Sequence, residues 1–362
     1  TMMSGMTTKY QKDTEELRNT TNTTTVEMVS PILEKWMAQA SQLALTLSTW
    51  HTLHPVPSVK KPFVFFHLRK AGGSSIRHIL YQSATNHNST PLSNWIPCSN
   101  PNDPCMTFSL PPTHKREKKA IYASHVNYAH MTQLLRELRT GAVSTSTHTV
   151  GDKNFTFHAM TDEDTLREKS FGTCLTNIRP TVGRVRSCWD YRFVEKGAKS
   201  WTLPTAANMS AAEWKVLLPM AIDKYGNGCN NEMARAFGST TYEHAINHFS
   251  VETEGKTHFL TELEHVLSRM AGCVMVRVDR CEDSRTIVQH YLPWVQGDIC
   301  SKVGQVKIGM SKVKNGSDLT TEAQEEILSQ NKFDDFVFEF AAKLFDEQLR
   351  VATNSTVVRS GN

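Results

Sequence analysis

Residues 62–80 read "PFVFFHLRKAGGSSIRHIL", and the fold turns on how that stretch divides. The run "PFVFFH" (62–67) is short and continuously apolar, which suits a strand buried on both faces. Lys70, Ala71, Gly72, Gly73, Ser74 and Ser75 then make a turn, and Ile76, Ile79 and Leu80 mark the buried face of a following helix. Such a seam is an anion cradle. Glycines let the backbone approach a ligand and take positive φ. The free N–H groups of the helix start point outward, and the helix dipole favours negative charge there. Ser74 and Ser75 can cap the helix or bond an anionic oxygen, and Lys70 adds a point charge. The plain alternative is an ordinary glycine turn with a serine cap and a solvated lysine.

Three more apolar, β-prone runs follow: "AIYASHV" (120–126), "FGTCLTNI" (171–178) and "CVMVRVD" (273–279). Helical patterns lie at 75–84, 128–139, 181–196, 210–223, 257–271 and 333–349. The alternation predicts an α/β domain, a central parallel sheet flanked by helices. That domain spans 56–351. Before it, residues 1–55 form a stem, with a Thr/Asn-rich start to about residue 25 that reads as disordered. A helix then covers 25–50, with Pro31 near its start or at a kink. Residues 352–362 read as a flexible tail. The insertions 86–118 and 140–169 are expected to shape a substrate cleft.

The chain has 362 residues, 39% of them hydrophobic, and a formal net charge of +4, a balance that suits an anionic ligand without implying a nucleic-acid polymer. No run of about 18 apolar residues is present. Seven N-x-S/T sequons (Asn19, Asn22, Asn88, Asn154, Asn208, Asn315 and Asn354) point to a secretory lumen. Eight cysteines agree with that compartment. Cys98 and Cys105 are a candidate local bridge, as are Cys281 and Cys300. Cys273 and Cys281 bracket a strand and lie too far apart if it is extended.

Residue order separates the cradle from a Walker A loop, in which lysine follows the glycines. The one G-K-T, in "EGKT" (254–257), has no apolar strand before it and reads as a helix start. A second stretch, "CLTNIRPTVGRVRSCWDYRF" (174–193), again runs from strand through a basic turn into a helix. Arg179 stands at the strand end, with Ser187 about two turns into the helix. Guanidinium and hydroxyl can grip a second phosphate, and Arg184 and Arg186 add charge. The alternative is a helix with solvated arginines.

Together "KAGGSS" and "RPTVGRVRS" resemble the two phosphate motifs of sulfotransferases that use 3′-phosphoadenosine 5′-phosphosulfate (PAPS). The first is similar to the 5′-phosphosulfate loop. The second keeps Arg179, Val182, Arg184 and Ser187 of the 3′-phosphate motif, but has Pro180-Thr181 where the family has Asp-Pro. "FVEKGAKSW" and "GCNNEMARAFG" look like stretches of the heparan sulfate 6-O-sulfotransferase branch. The stretch 263–294 looks like the family's later helix, strand, turn and helix, and 333–349 looks like its closing segment, so the resemblance covers about 60–350. It implies a P-loop-nucleotide-kinase-like sulfotransferase fold, PAPS as donor, PAP as product and no metal. Lys70, Ala71, Gly72, Gly73, Ser74, Ser75, Arg179 and Ser187 would bind the cofactor. Lys70 would also neutralise the leaving phosphate.

Sulfuryl transfer needs a base for the acceptor hydroxyl. His125, at the end of the second apolar run, matches the family's catalytic histidine, with Ser124 before it. Its structural alternative is a core histidine closing the strand. His130 and His67 are fallback bases. The basic run "THKREKK" (113–119) and the aromatics Trp189, Tyr191, Trp201 and Trp214 are readable as a solvated loop and as core.

The expected activity is sulfation of a carbohydrate hydroxyl on a polysaccharide or glycan, in the Golgi or secretory-pathway lumen. A single-pass type II membrane protein is expected, with its anchor outside this sequence. Tyrosine or small-molecule sulfation are enzymatic alternatives. A pseudo-enzyme that binds glycans or PAP, and a P-loop kinase, are the others.

Overall fold

In the computed structural model, the described residues are 4–53, 56–58, 61–68, 71–86, 95–97, 120–124, 128, 131, 147–150, 153–156, 173–195, 203–220, 228–238, 255–300 and 318–360. Five parallel strands form the central sheet: β1 (Phe63–Phe66), β2 (Trp95–Pro97), β3 (Ile121–Ser124), β6 (Thr173–Ile178) and β7 (Cys273–Arg277), in the order β2-β3-β1-β6-β7. A separate antiparallel hairpin joins β4 (Thr147–Val150) and β5 (Lys153–Thr156). The helices are α1 (Ser4–Leu53), α2 (Gly73–Asn86), α3 (Thr181–Trp189), α4 (Ala211–Met220), α5 (Glu232–Phe237), α6 (Gly255–Met270), α7 (Cys281–Tyr291), α8 (Thr321–Gln330) and α9 (Lys332–Ser360). A π-helical segment, Asp190–Glu195, continues α3.

The expected α/β architecture is present, and the four apolar runs are β1, β3, β6 and β7. The fifth strand, β2, comes from the insertion 86–118. It is three residues long, ends in Pro97 and lies at the sheet edge, where a missing N–H is tolerated. No run that short has a readable period. "EGKT" does open a helix, with α6 starting at Gly255.

Two segments outside the domain carry more helix than the sequence pattern suggests. The stretch expected to be disordered up to about residue 25 is helical from Ser4, in one helix with the following segment. No Gly or Pro stands between Gly5 and Pro31, so nothing local stops it. Pro31 lies inside α1 rather than at its start. The tail expected to be flexible from residue 352 is likewise helical, because α9 runs to Ser360. Val351 and Ala352 are buried, and α9 packs on α1 through Trp36 and Phe340, whose rings meet edge-on at 5.9 Å.

Strand β1 is buried along its whole length and β7 up to Arg277, which is partly exposed, as a sheet covered on both faces requires. Among the described residues, three disulfides brace the fold. Cys174–Cys273 joins β6 to β7 at paired positions, Cys188–Cys229 ties α3 to the segment before α5, and Cys281–Cys300 closes over α7. Cys281–Cys300 is one of the two pairs expected; Cys98 and Cys105 lie outside the described residues. Such bonds persist in an oxidising compartment. Among the described residues, no helix is long and apolar enough to cross a membrane.

Candidate functional site

Register builds the site. Phe66 of β1 pairs with Ser124 of β3 on one side and with Thr176 of β6 on the other. Three parallel strands therefore end side by side, about 5 Å apart. From β1 the chain goes to β2 on one side of the sheet, while from β6 it goes to β7 on the other. Strand order reverses between the neighbours β1 and β6, and open α/β sheets bind ligands outside the carboxyl ends at such a switch point.

The end of β1 is tied to β6 by side chains the sequence reading missed. Asn177 accepts from the backbone N–H of Leu68 and donates to its carbonyl, both at 2.9 Å, and Thr176 donates to the Phe66 carbonyl at 3.1 Å. Both residues are fully buried. The signal was there: two polar side chains inside the apolar run "CLTNI" need partners, and backbone just past the neighbouring strand supplies them.

The turn beyond Leu68 is held by close packing. Gly72 has φ +83°, which favours glycine, and a Cβ there would lie 2.1 Å from Val278 Cγ2. The turn thus reaches across the end of β6 to the residue after β7. A Cβ on Gly73 would lie 2.0 Å from His67 Cδ2. His67 is buried and stacked on Phe65 at 5.4 Å, so it cannot retreat. It packs the loop rather than facing the sheet edge as a free base. Gly73→Ala should cost about 1–3 kcal/mol through overpacking. A urea melt showing a loss under about 0.5 kcal/mol, the level of a neutral surface change, would contradict that packing. Ala71 is fully buried, and Ser74 and Ser75 fall in the first turn of α2. Lys70 and His125, like His130, Trp201 and the run 113–119, lie outside the described residues.

At the second corner, α3 starts after Pro180, which offers no side-chain cap. Its first N–H groups are suited to an external anion. Arg179 folds back over the first turn. A Cβ on Gly183 would meet its Nε at 3.3 Å, so the missing side chain makes room for the guanidinium. Ser187 lies one turn beyond Gly183 on the same helix face and is partly exposed. Burial pushes the Arg179 pKa down from its ordinary value; Asp279 opposes this, while Arg184 and Arg186 add to it. A cation stripped of water beside like charges is stabilised by an anion. Burial alone would raise the Asp279 carboxyl, but its bonds and charge pairing with Arg277, and the nearby Arg179, hold it below its usual range.

Arg184 departs from the reading that it adds charge for a phosphate. It is completely buried, 3.0 Å from Asp334 and 3.3 Å from Glu232, and it donates to the Cys229 carbonyl at 2.9 Å. It sits four residues before Cys188, on the inward face of α3, with its charge directed to buried carboxylates. Arg186 remains at the surface, 3.6 Å from the exposed Asp318. Trp189 and Trp214 are core residues whose rings meet at 5.2 Å, as expected for aromatics at helical spacing. No group of His, Cys, Asp and Glu suited to a metal occurs among the described residues.

The fold and geometry define an α/β protein with two strand-to-helix corners at one sheet edge. Scans against protein-family models and against curated proteins find no match to this chain.

Proposed function

We propose that the chain transfers a sulfuryl group from PAPS to a hydroxyl of a carbohydrate acceptor. The observation that carries this reading is the pair of strand-to-helix corners on neighbouring parallel strands, one a glycine turn at Gly72–Gly73 and the other the Arg179–Gly183–Ser187 face of α3. One doubly charged nucleotide has an anion for each. The glycine turn, with Lys70, Ser74 and Ser75, would take the 5′-phosphosulfate, and Arg179 with Ser187 the 3′-phosphate. The acceptor oxygen then bonds to sulfur as the bond from sulfur to the bridging phosphate oxygen breaks, and PAP leaves. His125 takes the acceptor proton and Lys70 neutralises charge on the departing phosphate. PAPS supplies the activated sulfuryl group, and the protein supplies alignment and charge.

The lysine-before-glycine order favours this donor over ATP. PAP should therefore raise the melting temperature of the protein more than ATP with magnesium does. A larger shift with ATP would favour a P-loop kinase and sink the assignment. Radiolabelled sulfate should pass from PAPS to at least one member of a panel of polysaccharides and glycans. Labelling of tyrosine peptides or small phenols alone would keep the donor and replace the acceptor class.

A further inference from the structure

We propose that Asn208 and Asn354 each carry an N-linked glycan. They are the two sequon asparagines whose side chains fall among the described residues, and both are exposed. Asn208 is followed by Met209 and Ser210, and Asn354 by Ser355 and Thr356, so each has the required hydroxyl two residues on. The three disulfides argue for folding in an oxidising lumen, where lipid-diphosphate oligosaccharide donors are used. This inference does not depend on the sulfotransferase reading.

Glycan transfer acts on the chain before it folds. The folded protein must then leave each sugar in solvent, and the geometry does so at both positions. Around Asn208, the Met209 side chain is buried while Asn208 points out, at the end of the short helical turn Ala206–Asn208. Ser210 bonds Glu213 reciprocally, so the sequon hydroxyl becomes the cap of α4 once the chain has folded. On α9, Val351 and Ala352 face inward, whereas Asp346, Arg350, Thr353 and Asn354 form an exposed stripe at helical spacing.

Both positions also lie away from the candidate site. Asp190 is about 15 Å along the helix axis from Pro180, where the anion corner begins. The segment leading to Asn208 is pinned at that far end, where Trp189 donates to the Pro204 carbonyl at 2.9 Å and Asp190 accepts from the Ala206 N–H at 2.8 Å. Along α9, Phe345 lies under Arg277 at the carboxyl end of β7, and Gln348 bonds Cys273 and Met275 nearer its amino end. Asn354 is six residues further on, about 9 Å along the helix and further still from the carboxyl end of β7.

In each transfer the asparagine amide nitrogen bonds to the anomeric carbon of the oligosaccharide. The bond from that carbon to the lipid diphosphate breaks, the diphosphate departs with the electron pair, and the amide loses one proton. The test is site-resolved mass spectrometry of the full chain secreted from eukaryotic cells, treated with peptide N-glycosidase in heavy-oxygen water. Heavy aspartate is expected at both positions, and Asn208→Gln and Asn354→Gln should each remove one glycan step on a gel. An unmodified asparagine at either position in secreted, disulfide-bonded protein overturns the assignment there.

Discussion

Replacing Arg184 with methionine should destabilise the protein by about 3–5 kcal/mol, because it leaves two buried carboxylates without their cation. Arg184, Glu232 and Asp334 are each no more than 1% exposed. Water therefore cannot solvate Glu232 and Asp334 once the guanidinium is gone. Methionine nearly conserves the volume, so the loss reports charge rather than a cavity. Asp334 also accepts from the Met233 and Ala234 N–H groups at 3.1 and 2.8 Å, which fixes the start of α5. The same network holds α3, and with it the face that carries Gly183 and Ser187. Chemical denaturation measures the effect. Adding Glu232→Gln and Asp334→Asn should recover part of the loss, since neutral amides need no counter-charge. A loss below about 1 kcal/mol for Arg184→Met alone would mean that the carboxylates find another partner or take up protons.

His125→Ala should lower sulfate transfer by about 10²–10⁴-fold, the usual contribution of a positioned general base. PAP binding should change little, because the proposed function assigns the phosphates to the two corners and not to the base. Ser124, the residue before His125 in the sequence, is level with Phe66 and Thr176 across three strands, so β3 ends at the same sheet edge as β1 and β6. The two measurements together discriminate between classes of protein. Lost turnover with retained PAP affinity marks a catalyst. Unchanged transfer moves the base to another residue. A chain that binds PAP yet transfers no sulfate before substitution is a binding module.

The sequence determined the layers and the strand ends. Among the described residues, four of the five sheet strands fall in short, apolar-rich runs, and burial on both faces favours that composition. The polar Thr176 and Asn177 of β6 are tolerated because each is hydrogen-bonded to backbone. Gly72–Gly73 and Arg179 were legible for a related reason: their chemistry is local, a backbone that needs no Cβ and a cation at a strand end. Tertiary structure decided what depends on partners distant in the chain. Arg184 is chemically the same as Arg179 in the sequence, yet one is spent on Glu232 and Asp334 while the other lies over Gly183 at the open edge. Cys174 pairs with Cys273, 99 residues away, only because β6 and β7 come into register. A side chain's charge or thiol is written in the sequence, but which group it meets is set when non-local strands and helices bring their faces together.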